Sequence, residues 1–425
     1  MSDNGKKQRP VRTLTVKNFS VIKDAKLEFG KITVLIGPQA SGKSLLCKLA
    51  YFLDREVTEL AVESAANQYL FSEFEDRVRK EFSKRFPPTG WGGGVWSVSY
   101  SANEYRVVIS SSGTSYDDVS VECAKELKDA YLSQLDENTA QQQRIGVLPP
   151  PDLIRSAAAT KFTKLAGRGV WDAATYIPLE RSYFVDTQKG YRALGAGTDL
   201  ISARFAAIFA NSLGPDLPRP RIPGFLKGDL IPSPDGLAVA FSDGRFLPVT
   251  HLSSGAKETL PILAVLDFYE YQRRSSRTNL PSETLYGNDL YCFDDFTIEE
   301  PEASIFPEMQ YELVKEFASL SNESDFVPHF TITTHSPYVL SAFGDLVKAG
   351  KVGAGAPDNR VAVANVIPEK FWIKPDEFIA YKIENEVLES IFDMKTGQID
   401  GDYLDNVSGK ISDELGQLLE IQYGR

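Results

Sequence analysis

With 425 residues, the chain has room for one large α/β unit with insertions or for about three average domains. Its 42% hydrophobic and 11% aromatic content supports a sizeable core, and 46 basic against 58 acidic side chains (net charge −12) exclude a broad basic surface coating DNA. No apolar run reaches the ~20 residues of a membrane helix, the N-terminus carries no apolar leader core, and Cys47, Cys123 and Cys292 lack paired spacing, so the expectation is a cytoplasmic protein with reduced thiols and no membrane partner.

Residues 1–10 are polar and read as a disordered tail. Residues 11–36 alternate as strands, through Leu14, Val16 and Phe19, then Ala25, Leu27 and Phe29, then the β-branched run Ile32 to Ile36. That run breaks at Gly37-Pro38-Gln39-Ala40-Ser41-Gly42-Lys43-Ser44, and an apolar helix follows through Leu45. This is the G-x-x-x-x-G-K-[ST] pattern in its strand–loop–helix setting. Small residues let the backbone N–H groups of 40–44 wrap a phosphate, and the helix N-terminus adds partial positive charge. Lys43 has the length to bridge the β- and γ-phosphates of ATP, and the Ser44 hydroxyl suits Mg²⁺.

A helical pattern runs from Ser44 to about Phe86, ended by Pro87-Pro88. Trp91-Gly92-Gly93-Gly94 reads as a flexible connection, and 91–113 as a hairpin turned at Ala102-Asn103-Glu104. Residues 119–145 look helical, a short arm ending in Gln141-Gln142-Gln143. After Pro149-Pro150-Pro151 come a helix at 152–166, a strand from Ala174 to Pro178, and a helix at 197–213. Six prolines make 214–235 an irregular loop, and 236–251 is a second hairpin turned at Ser242-Asp243-Gly244-Arg245.

Three motifs follow. Leu252-Ser253-Ser254-Gly255 opens an apolar helix with small residues, so its first N–H groups face an anion or simply cap the helix. Glu299-Glu300-Pro301-Glu302 ends an extended run, where paired carboxylates suit Mg²⁺ coordination and water activation; Asp294-Asp295 is a rival acidic pair. Thr334-His335-Ser336-Pro337 delivers one of three histidines to a strand end.

Gly37–Ser44, Leu252–Gly255, Glu299–Glu302 and Thr334–Pro337 stand in the order of the ABC-type ATPase head, and the chain resembles that family. It looks most like the compact prokaryotic branch related to OLD (overcoming lysogenization defect) ATPases and to structural-maintenance-of-chromosomes proteins. Leu14–Phe19, Tyr176–Ser182 and Ile379–Ile383 share the likeness, which runs from about 11 to 420 and is weakest in 60–170 and 183–235. The resemblance implies a P-loop head: a mixed central sheet with helices on both faces, an antiparallel β-subdomain and a helical insertion. It divides the chain into lobe I at 11–60, an insertion or arm at 61–235, lobe II at 236–350, and C-terminal strands and helix at 351–425.

The resemblance also implies the site. ATP would lie between Gly37–Leu45 of one subunit and Ser253, Ser254 and Gly255 of another, in a head-to-tail homodimer or larger homo-oligomer. Glu300 would polarise the attacking water, His335 would sense the γ-phosphate, and Ser44 and Glu299 would support Mg²⁺. The chain departs from the family at Glu299 (usually Asp), Phe306 (often His), Gln39 and Ala40. The lobe-I glutamine stays open among Gln68, Gln141–Gln143 and Gln188.

Two functions are expected from this. One is the ATPase subunit of an anti-phage system resembling Septu or PARIS, controlling a separately encoded effector nuclease. In this sequence 90 residues follow His335 without an acidic cluster like the Toprim nuclease of OLD proteins, and the final helix, about 403–421, would cap the head or meet a partner. The alternative is a DNA-repair or chromosome-maintenance ATPase acting directly on nucleic acid through Lys6-Lys7-Gln8-Arg9 or Arg273–Arg277. A transporter motor fits the wording of the motifs poorly.

Overall fold

The computed structural model describes residues 11–113, 115–169, 172–187, 199–214, 216–222, 224–233, 236–279, 293–323, 327–400 and 413–418. The expected disordered tail, Gln188, Cys292, and most of the expected terminal helix lie outside them; 413–418 is helical.

Alternating burial makes β1 (Arg12–Phe19) and β2 (Ile22–Phe29) an antiparallel hairpin. All five residues of β3 (Ile32–Ile36) are buried, as a parallel strand covered on both faces requires. Helix α1 (Lys43–Tyr51) does not run on to Phe86 as the pattern suggested. It loosens through one π-turn at Phe52–Glu56 into α2 (Val57–Ala66), and Gln68 at φ 58° breaks the chain before α3 (Phe71–Arg85). The π-turn is stabilised from outside. Tyr105 donates its hydroxyl to the Leu53 carbonyl at 2.6 Å, and Arg168 Nη2 donates to the Asp54 carbonyl at 3.0 Å.

β4 (Trp96–Ala102) and β5 (Tyr105–Ser111) form the expected hairpin, with Asn103 at φ 52° in its turn. The helix expected over 119–145 is corrected at its start. Val119 and Val121 alternate inward in β6 (Val119–Cys123), which pairs with β5 before α4 (Lys125–Ile145) begins. Trp91 is likewise not part of a flexible connection. It is buried, its Nε1 donates to the Phe86 carbonyl at 2.6 Å, and its own carbonyl accepts from Ser20. It stands in an aromatic cluster with Phe19, Phe82, Phe86 and Trp96; the Phe19 and Trp96 ring centroids are 4.8 Å apart.

After α5 (Pro151–Leu165) come β7 (Ala174–Ile177), α6 (Ser182–Thr187) and α7 (Leu200–Ser212). The proline-rich loop is only partly irregular, because Gly228–Ser233 forms β8 and pairs with β9 (Gly236–Phe241), itself paired with β10 (Phe246–Pro248). The remainder runs α8 (Ser254–Asn279), β11 (Phe293–Glu299), α9 (Pro307–Ser321), β12 (Val327–Thr334), α10 (Pro337–Gly353), α11 (Pro357–Ala364), β13 (Phe378–Glu384) and β14 (Val387–Ser390).

The described residues build an eleven-stranded mixed sheet in the order β6-β5-β4-β1-β2-β14-β13-β3-β12-β11-β7. β13, β3, β12, β11 and β7 are parallel to one another; β6 to β2 form an antiparallel half. β4, β5 and β6 therefore extend the sheet from β1, and β7 edges its parallel half. Leu35 points into the core under α1 to α5, whereas Ile32, Val34 and Ile36 point into a second core with α7 to α10, so helices cover both faces.

Truncating the aromatic cluster tests this packing. Phe82→Ala, at a fully buried site, is expected to cost about 3–5 kcal/mol in a urea titration with unchanged slope; a loss under about 1 kcal/mol would mean the cluster is not packed as described.

Candidate nucleotide site

The register of the parallel strands sets the site. Ile36 lies beside Thr334, Thr333 beside Glu299, and Ile298 beside Ile177. The phosphate loop, Glu300, His335 and the Pro178–Arg181 turn therefore leave the sheet together at the C-terminal edge of its strands. Open α/β sheets bind ligands at that edge.

Within the loop, Ala40 (φ 59°) and Gly42 (φ 102°) take left-handed backbone, and Gly42 is the N-cap of α1. A Cβ on Gly37 would stand 2.8 Å from the Ile383 carbonyl oxygen and 2.9 Å from Ser41 Oγ. Pro38, Gln39 and Ala40 are exposed; Ser41, Ser44 and Leu45 are half-buried. The Ser41 hydroxyl oxygen itself is buried without a hydrogen-bond partner, a free donor in a loop of the right shape for phosphate. Lys43 is buried, and its Nζ donates to the Gly37 and Pro38 carbonyls at 2.8 and 2.9 Å. The same Nζ lies 3.1 Å from His335 Nε2, which lies 3.0 Å from Glu300 Oε1. Residues 43, 300 and 335 thus form one cluster. Burial lowers the Lys43 pKa from its usual 10.5, opposed by the negative charges of Glu300 and Glu302.

The acidic turn is held by its own frame. Glu299 is buried and accepts from the Tyr176 hydroxyl at 2.7 Å and the Leu179 N–H at 3.1 Å. Burial, then the charge of Glu299, pushes the Tyr176 pKa well up, so this hydroxyl stays a donor. Glu300 sits at φ 41°, its N–H bonded to the Thr333 carbonyl at 2.9 Å. Glu302 Oε1 accepts from Thr334 Oγ1 and from the His335 N–H, both at 2.7 Å. Ser336 caps α10 and donates to Gln310, whose Nε2 donates to the Ile305 carbonyl at 3.0 Å.

Ser253 and Ser254 are exposed, while Gly255 is buried. A Cβ there would stand 2.6 Å from the Ser304 carbonyl oxygen, so the start of α8 rests on the turn that follows Glu300. Among the described residues, no hydrogen bond or ion pair joins Ser253, Ser254 or Gly255 to the phosphate loop of the same chain. The rival pair lies elsewhere. Asp294 is buried against Arg273 Nε at 2.8 Å, and Asp295 meets Arg12 at 2.7 Å. Both stand near the far end of β11, about 16–20 Å of extended chain from Glu300. The same bond commits Arg273 of the expected basic patch, and Arg274 pairs with Glu270 and Glu323 at 2.8 and 2.6 Å.

Sequence reading assigned no role to Arg181, Glu302 or Gln310. Arg181 is wholly buried and donates to the carbonyls of Pro178, Glu258, Glu299 and Glu300. Arg181 and Glu302 lay inside quoted motifs, which was their only signal; Gln310 carried none.

Residues 201–340, a third of the chain, match the AAA ATPase domain family and include the Ser253–Gly255 step, the acidic turn and His335. With the phosphate loop on a mixed α/β sheet, that match indicates an enzyme that hydrolyses ATP. Among solved structures it is similar to the SMC head domain from Thermotoga maritima (12% identity, covering 90% of this chain and 98% of that one, TM-score 0.38). It is also similar to the recombination mediator protein RecF-ATPrS in the RecFOR pathway (9%, 90% and 99%, 0.36). A third is the Smc head domain with an extended coiled coil bound to the C-terminal domain of ScpA, derived from Pyrococcus furiosus (10%, 96% and 100%, 0.35). No curated protein matches the chain in sequence. Among the described residues, no helix is long and apolar enough to cross a membrane.

Lys43→Ala is expected to weaken ATP binding about tenfold to a hundredfold by fluorescence titration, the range of one charged hydrogen-bonding group. In the parent chain, affinity should fall as pH rises through the lowered Lys43 value, below 10.5, because only the protonated amine attracts phosphate. A Lys43→Ala chain that binds normally would remove Lys43 from the site.

Proposed function

We propose that the chain is an ATP-driven switch of the OLD-related, SMC-like branch, acting as a head-to-tail homodimer or larger homo-oligomer whose nucleotide sites each span two copies. The observation that carries this reading is the cluster of Lys43, His335 and Glu300 in one chain, with Ser253 and Ser254 exposed and unconnected to it. A second copy supplies the missing wall. Exposed Leu179, Tyr183, Phe306 and Tyr338, neighbours of the site in sequence, support an apolar rim buried on closure.

Backbone N–H groups of residues 40–44 bind the phosphates, with Lys43 turning from its loop carbonyls to the β- and γ-oxygens. Ser44 and Glu299 would hold Mg²⁺, which supplies positive charge to the departing phosphate oxygens. Glu300 accepts the proton of the attacking water. His335, tethered through its N–H to Glu302, reads the γ-phosphate. Loss of that phosphate removes the contacts that bridge two copies, and the dimer opens.

In the cell, the switch would be the sensor or regulator of an anti-phage complex holding a separately encoded effector nuclease. Direct action on DNA as a repair or chromosome-maintenance ATPase is the second reading. The commitment of Arg273 and Arg274 to acidic partners in their own chain favours the first.

Glu300→Gln is expected to bind ATP, lower turnover about 10²–10⁴-fold, and accumulate as a dimer by light scattering; turnover at the parental rate would remove Glu300 as the base. Filter binding to DNA across a salt series should be weak and flat, with the product of the adjacent gene co-purifying. A steep loss of tight binding with salt would favour direct action on DNA.

A further inference from the structure

Arg181 connects three segments that meet at the acidic turn. Its Nη1 donates to the Glu299 carbonyl at 2.6 Å and the Pro178 carbonyl at 3.1 Å, and its Nη2 donates to the Glu300 carbonyl at 2.8 Å. Its Nε donates to the Glu258 carbonyl at 2.9 Å and lies 3.3 Å from the Glu258 carboxylate. Glu258 lies on α8 three residues after Gly255, about one turn further along. The guanidinium is 0% exposed, and a buried charge stays only where its donors are satisfied and a counter-charge is near.

The step it grips is strained. Glu300 holds a left-handed backbone at φ 41°, which a residue with a side chain keeps only when its surroundings enforce it. Thr333 holds the Glu300 N–H from one side, and Arg181 holds the carbonyls of both glutamates from the other. Within the turn the Glu300 carbonyl also accepts from the Ala303 N–H at 3.0 Å, and Arg181 is the side chain that joins that carbonyl to α8.

We propose that Arg181 is a positioning residue that ties the aim of Glu300 to the position of helix α8, with Glu258 as the link. The inference rests on the two-copy reading above in one respect. When Ser253–Gly255 seat on the partner's ATP, any shift of α8 passes through Glu258 and Arg181 to Glu300 of the same chain. Capture of ATP in one site then sets the carboxylate of the other, and the two sites fire together.

The test compares Glu258→Gln, Arg181→Lys and the double variant in the full chain, with melting temperatures recorded. Glu258→Gln should keep ATP affinity within about twofold, lower the single-turnover rate about tenfold, and bring the Hill coefficient for ATP towards one. The double variant should be no slower than the slower single variant, since both changes break one link. A Glu258→Gln chain with parental rate and Hill coefficient, or losses that multiply in the double variant, would overturn the proposal. If Arg181→Lys fails to fold, Glu258→Gln decides alone. A parent chain that stays monomeric with ATP would defeat the two-copy reading instead, and the single-turnover rate would still judge Arg181.

Discussion

Everything at the site depends on where four parallel strands stop. β3, β12, β11 and β7 lie side by side in a register that brings Ile36, Thr334, Glu299 and Ile177 to one edge. Parallel strands buried on both faces cannot slip by one residue without turning their apolar side chains over. That constraint, rather than any contact between the functional groups, places a lysine from residue 43 beside a glutamate at 300 and a histidine at 335.

The cluster then has its own balance of charge. A lysine buried this deeply loses hydration, and the Gly37 and Pro38 carbonyls replace part of it. Glu300 and Glu302 supply the opposing charge, and His335 sits between the amine and Glu300. The arrangement gathers a cation, a carboxylate and an imidazole, groups that phosphoryl transfer uses. The left-handed Glu300 shows that the chain is bent against its preference at that step.

Much of this was legible before the fold was known, because the phosphate loop is local. Its glycines, lysine and serine declare themselves in eight residues, and β3 before it has one reading. The acidic turn and the histidine were legible as strand ends, and the parallel register explains why both ends meet the loop. What failed was tertiary or short-range. β6 is five residues long and was absorbed into α4, since its two valines alternate too briefly to outweigh the helix that follows. The π-turn in α1 and α2 is set by donors from Tyr105 and Arg168, far along the chain. Asp294-Asp295 stood as a rival pair because sequence does not say which end of a strand carries the ligand; in the fold Asp294 is paired with Arg273 and Asp295 with Arg12. Arg181 lay inside Tyr176–Ser182 with no role assigned, and only the fold shows the buried carbonyls it gathers.

The central claim is that each nucleotide site is shared between two copies of the chain. Subunit complementation tests it most directly. A Lys43→Ala subunit and a Ser254→Arg subunit are each expected to be inactive alone. Mixed, they should form heterodimers carrying one intact site, and ATPase activity should return to a fraction of the parental rate that follows the mixing ratio. If the mixture stays as inactive as its parts, or if Ser254→Arg alone hydrolyses ATP at the parental rate, the site belongs to one chain and the account is wrong.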